Sequence, residues 1–135
     1  MTAPSDTWAI STESLTRQFG KLTAVERLNL DVPRGLIFGF LGPNGAGKST
    51  TINMLVGLLL PTSGSARVAG YDILGEPIEV KRRIGVVPEG LSLYERLTAV
   101  EQVELVGRLH GLSRAEIGRR TPPLLETLGL QDSAG

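Results

Sequence analysis

The chain has no cysteine, which excludes disulfide staples and thiolate metal sites and suits a reducing compartment. It has no charge bias either: fourteen basic residues balance fourteen acidic ones. No net field would therefore gather DNA, RNA or an anionic membrane surface, and no nucleic-acid partner is expected. Long apolar runs are also missing. The strongest, Leu36–Leu41 and Met54–Leu60, fall far short of the roughly 20 residues a membrane-spanning helix needs. Residues 1–7 are small and polar, a frayed start without the basic segment and apolar core of a secretory signal. With 135 residues, 41% of them hydrophobic and 21% charged, the chain is one domain or part of one, with enough apolar material for a core. A cytoplasmic protein is expected, with any membrane association made through a partner.

What is present is concentrated at residues 42–49. Gly42-Pro43-Asn44-Gly45-Ala46-Gly47-Lys48-Ser49 completes the G-x-x-x-x-G-K-S/T phosphate-binding loop. Before it, Leu36–Leu41 suits a strand buried on both faces. After it, Ile52, Leu55, Val56 and Leu59 recur at helical spacing, and Thr50 falls in the first turn of the predicted helix. Strand, glycine-rich loop and helix form the context in which the motif is meaningful. The glycines let backbone N–H groups turn toward phosphate oxygens where a side chain would collide. The helix start adds its dipole and free amides. Lys48 is then placed to reach the β- and γ-phosphates, and the Ser49 hydroxyl to ligate Mg²⁺. The chain is expected to hold a nucleoside triphosphate.

The remaining pattern supports an α/β fold. Trp8–Leu15 reads as a strand, Phe19-Gly20-Lys21 as a turn, and Leu28, Leu30 and Val32 as a half-buried strand stopped by Pro33. The helix after the loop should end before Pro61. Ser65–Ala69 suggests another strand, Glu76–Arg83 a short helix, and Ile84–Val87 a short buried strand stopped by Pro88. Beyond Gly90 the pattern turns helical. Thr98 with Glu101, and Ser113 with Glu116, are capping boxes. The first opens a helix with Val103, Val106 and Leu109 on one side, and the second a short helix ending near Gly118. Thr121 and Pro122 then start a third, with Leu124, Leu125 and Leu128 inward and Gly129 as its stop.

Taken in order, Leu22–Val32, the loop at 42–49, Leu60–Gly64, Gly70-Tyr71-Asp72 and Ile84–Pro88 resemble the ATP-binding subunit of ABC transporters. Within that family the likeness is greatest to ATPases of bacterial drug-resistance exporters. It runs from about Trp8 to Gly129 and corresponds to the N-terminal half of the family's module. The resemblance implies a P-loop NTPase fold of the ABC type, with N-terminal antiparallel strands, parallel core strands and then a helical subdomain. Residues 1–97 would form the ATP-binding core and 98–135 the start of the helical subdomain.

The resemblance also assigns roles. Phe19 stands where an aromatic stacks on adenine, although a turn aromatic packed on the sheet is the plainer alternative. Val25 would flank the same base or simply belong to the core. Glu89 takes the position of the family's Q-loop glutamine. A carboxylate there can reach Mg²⁺ directly or through water, or be a solvated loop acid. Lys48 and Glu89 are thus the candidate catalytic residues. Ser49 and Glu89 are the candidate Mg²⁺ ligands, with ATP as nucleotide. The loop 90–97, with Tyr94, would meet a membrane-spanning transporter subunit, or Tyr94 would cover the helical layer. A second ATPase module would complete the nucleotide sandwich.

Other family parts do not occur within these residues. No apolar strand ends in Asp-Glu, and neither Leu91-Ser92 nor Leu112-Ser113 is followed by paired glycines. His110, the single histidine, precedes the place of the family's switch histidine and reads as a solvated or helix-capping residue. The chain alone is therefore expected to bind ATP–Mg²⁺ with turnover near background. The open edge left without the Asp-Glu strand is expected to give marginal stability or self-association. Two readings stand: the front of an ABC-type ATPase powering export, or a non-catalytic nucleotide-binding or interaction fragment of a truncated or split gene. A GTPase is disfavoured, because no Asn-Lys-x-Asp motif occurs.

Overall fold

Alternating apolar and polar residues draw the first part of the chain into an antiparallel sheet. The computed structural model describes residues 7–88, 90, 94 and 96–130. The polar start (1–6), Glu89 and much of the loop 90–97 lie outside them. Two compact units, Met1–Val86 and Val87–Gly135, make up the chain.

In the first unit, β1 (Trp8–Phe19) and β2 (Leu22–Pro33) form a long hairpin turned by Gly20-Lys21. With β3 (Ser63–Val68) and the short β4 (Tyr71–Asp72) they make one sheet in the order β2-β1-β3-β4. The β1–β2 register is interrupted where Ser14 and Arg27 take positive φ. Side chains replace the lost ladder bonds there. Asn29 Oδ1 accepts from the Ser14 amide at 2.8 Å. The Thr16 hydroxyl accepts from the Arg27 amide at 3.0 Å and donates to Ser14 O at 3.0 Å. Such bulges bend and twist a hairpin locally. The sequence reading missed β4. It follows a two-residue turn of Ala69 and Gly70, both at positive φ, and alanine is a poor advertisement for that turn.

The sheet buries Leu15, Val25, Ala66 and Val68 against Met54 and Leu55 of α1 (Lys48–Leu55), with Ile73 and with Val80 of α2 (Pro77–Lys81). Leu15, Met54 and Val80 are fully buried, each such side chain stabilising by about 1.5–3 kcal/mol. The α1 face differs from expectation. Thr51, Met54 and Leu55 point inward, whereas Ile52 is exposed. The helix also stops early. Gly57, at φ 72°, lets the amides of Gly57 and Leu58 turn back to Met54 O and Asn53 O at 3.1 and 2.8 Å, a glycine-type C-terminal cap. Beyond α2, Arg83 lies 4.0 Å over the Tyr71 ring and donates to its hydroxyl and to Glu79. That hydrogen bond from Arg83, aided by the charge of Arg82, holds the Glu79 carboxyl below its ordinary range.

Two expected strands are not formed. Leu36–Leu41 and Ile84–Val87 carry no ladder among the described residues. Ile37, Leu41 and Val87 are almost wholly exposed, while Ile84 alone packs on the core. A central parallel strand makes no backbone bonds within itself and depends wholly on neighbours. Neither segment has such a neighbour in the sheet.

The second unit is a helical hairpin. α3 (Ala99–Leu109) and α4 (Arg114–Thr127) each begin with the expected capping box. They approach closely at Gly107, where a Cβ would lie 2.8 Å from Ile117 Cγ1. This contact places Gly107 rather than Val106 and Leu109 on the packed side; both of those are exposed. His110 is the exposed C-cap of α3, as expected. The two predicted helices at 113–118 and 121–128 are a single α4 running through Pro122 and Pro123. Those prolines remove the amides that would bond the carbonyls of Gly118 and Arg119, but all four residues are exposed and water can serve the freed oxygens. Thr121, by contrast, is buried and donates its hydroxyl to Ile117 O at 2.8 Å. Only Leu125 of the three predicted leucines is buried.

Candidate phosphate-binding site

The loop is seated on β2. A Cβ at Gly47 would lie 2.3 Å from Ala24 O and 3.0 Å from Val25 Cγ2, and Gly47 has φ 83°. Space and backbone conformation each demand glycine there. Val25 is thus both a buried core residue and the contact beneath the loop.

Gly47 is the N-cap of α1. It offers no side-chain acceptor, and no acid stands in the first turn. Thr51 N bonds Gly47 O at 2.8 Å, so the helix begins at once behind the loop. The amides of Lys48, Ser49 and Thr50 at its start carry the positive end of the helix dipole, with no carboxylate from the first turn to neutralise it. This chemistry fits a phosphate group. Lys48 folds back over the loop, its Nζ donating to Gly42 O at 2.6 Å and Pro43 O at 2.7 Å. Ala46 N bonds Pro43 O at 3.2 Å, and Gly45 also has φ 83°. Pro43, Asn44, Gly45, Ala46 and Ser49 are exposed, whereas Gly47, Lys48 and Thr50 are half-buried. An exposed hydroxyl on Ser49, next to Lys48, has the hard oxygen donor that Mg²⁺ takes.

Phe19 ends β1 opposite Leu22 at the hairpin tip. Arg17, two residues earlier, places its guanidinium 4.5 Å from the Phe19 ring centroid. The sequence reading did not single out Arg17. The signal was there, because residues two apart on a strand share a face. Glu89, the other candidate Mg²⁺ ligand, lies outside the described residues. A separate concavity of about 440 Å³ opens on the sheet near Trp8, Glu13, Asp31 and Arg67, and none of its lining residues belongs to the loop.

A match to the family described as ABC transporter spans residues 25–135. The chain belongs to the ABC transporter family. Among ABC relatives, it is 47% identical over 127 residues to the daunorubicin/doxorubicin resistance ATP-binding protein DrrA of Streptomyces peucetius, covering 94% of this chain and 38% of that protein. It is 41% identical over 125 residues to the linearmycin resistance ATP-binding protein LnrL of Bacillus subtilis, covering 93% and 40%. A solved ATP-binding subunit of an ABC transporter superposes with a TM-score of 0.78 at 35% identity, covering 93% of this chain and 52% of that one. The fold is therefore that of an ABC ATPase, and the chain spans about two fifths of these curated relatives. No helix among the described residues is long and apolar enough to cross a membrane.

Proposed function

We propose that this chain is the ATP–Mg²⁺-binding front part of an ABC-type ATPase that powers export through a separate membrane-spanning subunit. The observation that carries the reading is the glycine-only seat at Gly47, with a helix start that no side chain caps and with Lys48 beside it. Lys48 already spends its ammonium on two loop carbonyls. Phosphate oxygens offer the ammonium a full opposite charge where the carbonyls offer only dipoles. The amides of 48–50 would hold the same polyanion from the helix side, Ser49 would ligate Mg²⁺, and Phe19 would take the base. Export is supported by the likeness to two resistance ATP-binding proteins.

Glu89 is proposed to direct a further carboxylate to the metal, and the loop 90–97 with exposed Tyr94 to meet the membrane subunit. A second ATPase module is proposed to close over the nucleotide. Phosphoryl transfer needs a positioned water and charge stabilisation around the transferring group. These 135 residues contain no Asp-Glu strand and no paired-glycine signature, so the chain by itself should bind and scarcely hydrolyse. Fluorescent-nucleotide titration of the wild type and Lys48→Ala tests the reading. Saturable, Mg²⁺-dependent binding lost in the variant is expected; equal affinity in both would contradict it.

A further inference from the structure

Arg17 makes three contacts that converge on one place. Its guanidinium covers one face of the Phe19 ring at 4.5 Å. Its Nη1 donates to Leu60 O at 2.7 Å, in the segment that follows α1. Across the hairpin it pairs with Val25, the residue pressed beneath Gly47 of the phosphate loop. Its Nε–H is buried without a partner. A donor orphaned in this way is uncommon in native proteins, and such local cost persists where the surroundings over-determine a geometry.

We propose that Arg17 is a positioning and specificity-determining residue for the nucleobase. It fixes the Phe19 ring relative to the loop, leaving the ring's other face for a purine. Phe19 is 45% exposed, so an accessible face remains while Arg17 occupies the first. A lone aromatic at a hairpin tip would lose side-chain freedom when a base stacks on it. With one face already held by a cation, most of that ordering is complete before the nucleotide arrives. The cation also draws π-density toward itself, which makes the opposite face a better platform for an electron-rich purine than for a smaller pyrimidine. The inference rests on the reading that Phe19 takes the base.

The test titrates the chain and its variants Arg17→Gln, Arg17→Lys, Phe19→Leu and Arg17→Gln/Phe19→Leu with the magnesium complexes of ATP, UTP and inorganic tripolyphosphate. Circular dichroism first selects the variants that fold. Arg17→Gln should weaken ATP about threefold to fivefold, the ordering cost of one freed side chain at the site, and narrow the preference for ATP over UTP. Tripolyphosphate affinity should not change. Arg17→Lys keeps the charge without the planar fork and should restore part of the loss. The double variant should be no weaker for ATP than Phe19→Leu alone. The proposal is overturned if Arg17→Gln weakens tripolyphosphate as much as ATP, or if its loss adds fully to that of Phe19→Leu. If Phe19→Leu leaves ATP binding intact, the assignment of Phe19 to the base falls, and this inference with it. If only the Arg17 variants leave it intact, this inference alone falls.

Discussion

At the scale of single residues, Gly47 is held to glycine both by space and by its left-handed backbone. Alanine there would meet a backbone oxygen at 2.3 Å while holding φ at 83°. The left-handed conformation alone costs a non-glycine residue about 1–2 kcal/mol, and the backbone clash adds to it. Gly47→Ala should therefore lower the melting temperature and abolish nucleotide binding together. Unchanged binding in this variant would mean that the loop is seated elsewhere in solution. Lys48 differs in kind. Its partners Gly42 O and Pro43 O are loop carbonyls on an exposed surface, so Lys48→Ala should remove binding with little effect on stability. The pair of variants separates loop architecture from phosphate contact.

At the scale of elements, local signals in the sequence were reliable where the backbone satisfies itself and unreliable where a neighbour must. Both capping boxes form as read, because Thr98 with Glu101 and Ser113 with Glu116 need only three residues of chain. Thr98→Ala should cost about 1 kcal/mol, measured by denaturant unfolding of the helical unit. The glycine turn and helix start at 45–51 were legible for the same reason, Gly47 being explained by a close approach and Gly45 by a turn. The strands at Leu36–Leu41 and Ile84–Val87 were read from apolar runs alone, and a run cannot say whether a pairing partner exists. The faces of α1 and α3 were misread because small residues decide them: Thr51 inside one, Gly107 inside the other. A periodicity that counts only large apolar side chains overlooks both. Proline misled at α4, where exposure of the freed carbonyls lets a helix continue through Pro122 and Pro123.

One electrostatic link at this scale is open to pH. Glu79 is depressed first by its hydrogen bond from Arg83, which also stacks on Tyr71. A depressed carboxyl stabilises the fold at pH values above its unfolded pKa, and the contribution is lost as pH falls through the lower folded value. Following the Glu79 side-chain carboxyl by NMR should give a midpoint below that of a free glutamate. Arg83→Gln should return it toward the free value; a midpoint that ignores Arg83 would contradict the assignment.

At the scale of the whole molecule, the chain exposes Leu36, Ile37, Leu41 and Val87 with no net charge to keep copies apart. Exposed apolar segments of strand-forming character invite association, and near-zero net charge does not oppose it. Gel filtration across a concentration series should show species larger than a monomer at the higher concentrations. A sharp monomeric peak throughout, with a cooperative melt, would refute this. Charged substitutions at Ile37 and Leu41 should shift the population back toward monomer, since these side chains contribute nothing to the buried core.

The binding chemistry proposed for the loop at 42–49 is separate from these apolar segments and is the centre of the account. Isothermal titration calorimetry of folded chain with the magnesium complex of ATP tests it most directly. A saturable heat that fits one site per chain and disappears when Lys48 is replaced by alanine is the predicted result. No heat from protein whose fold has been verified would contradict the account.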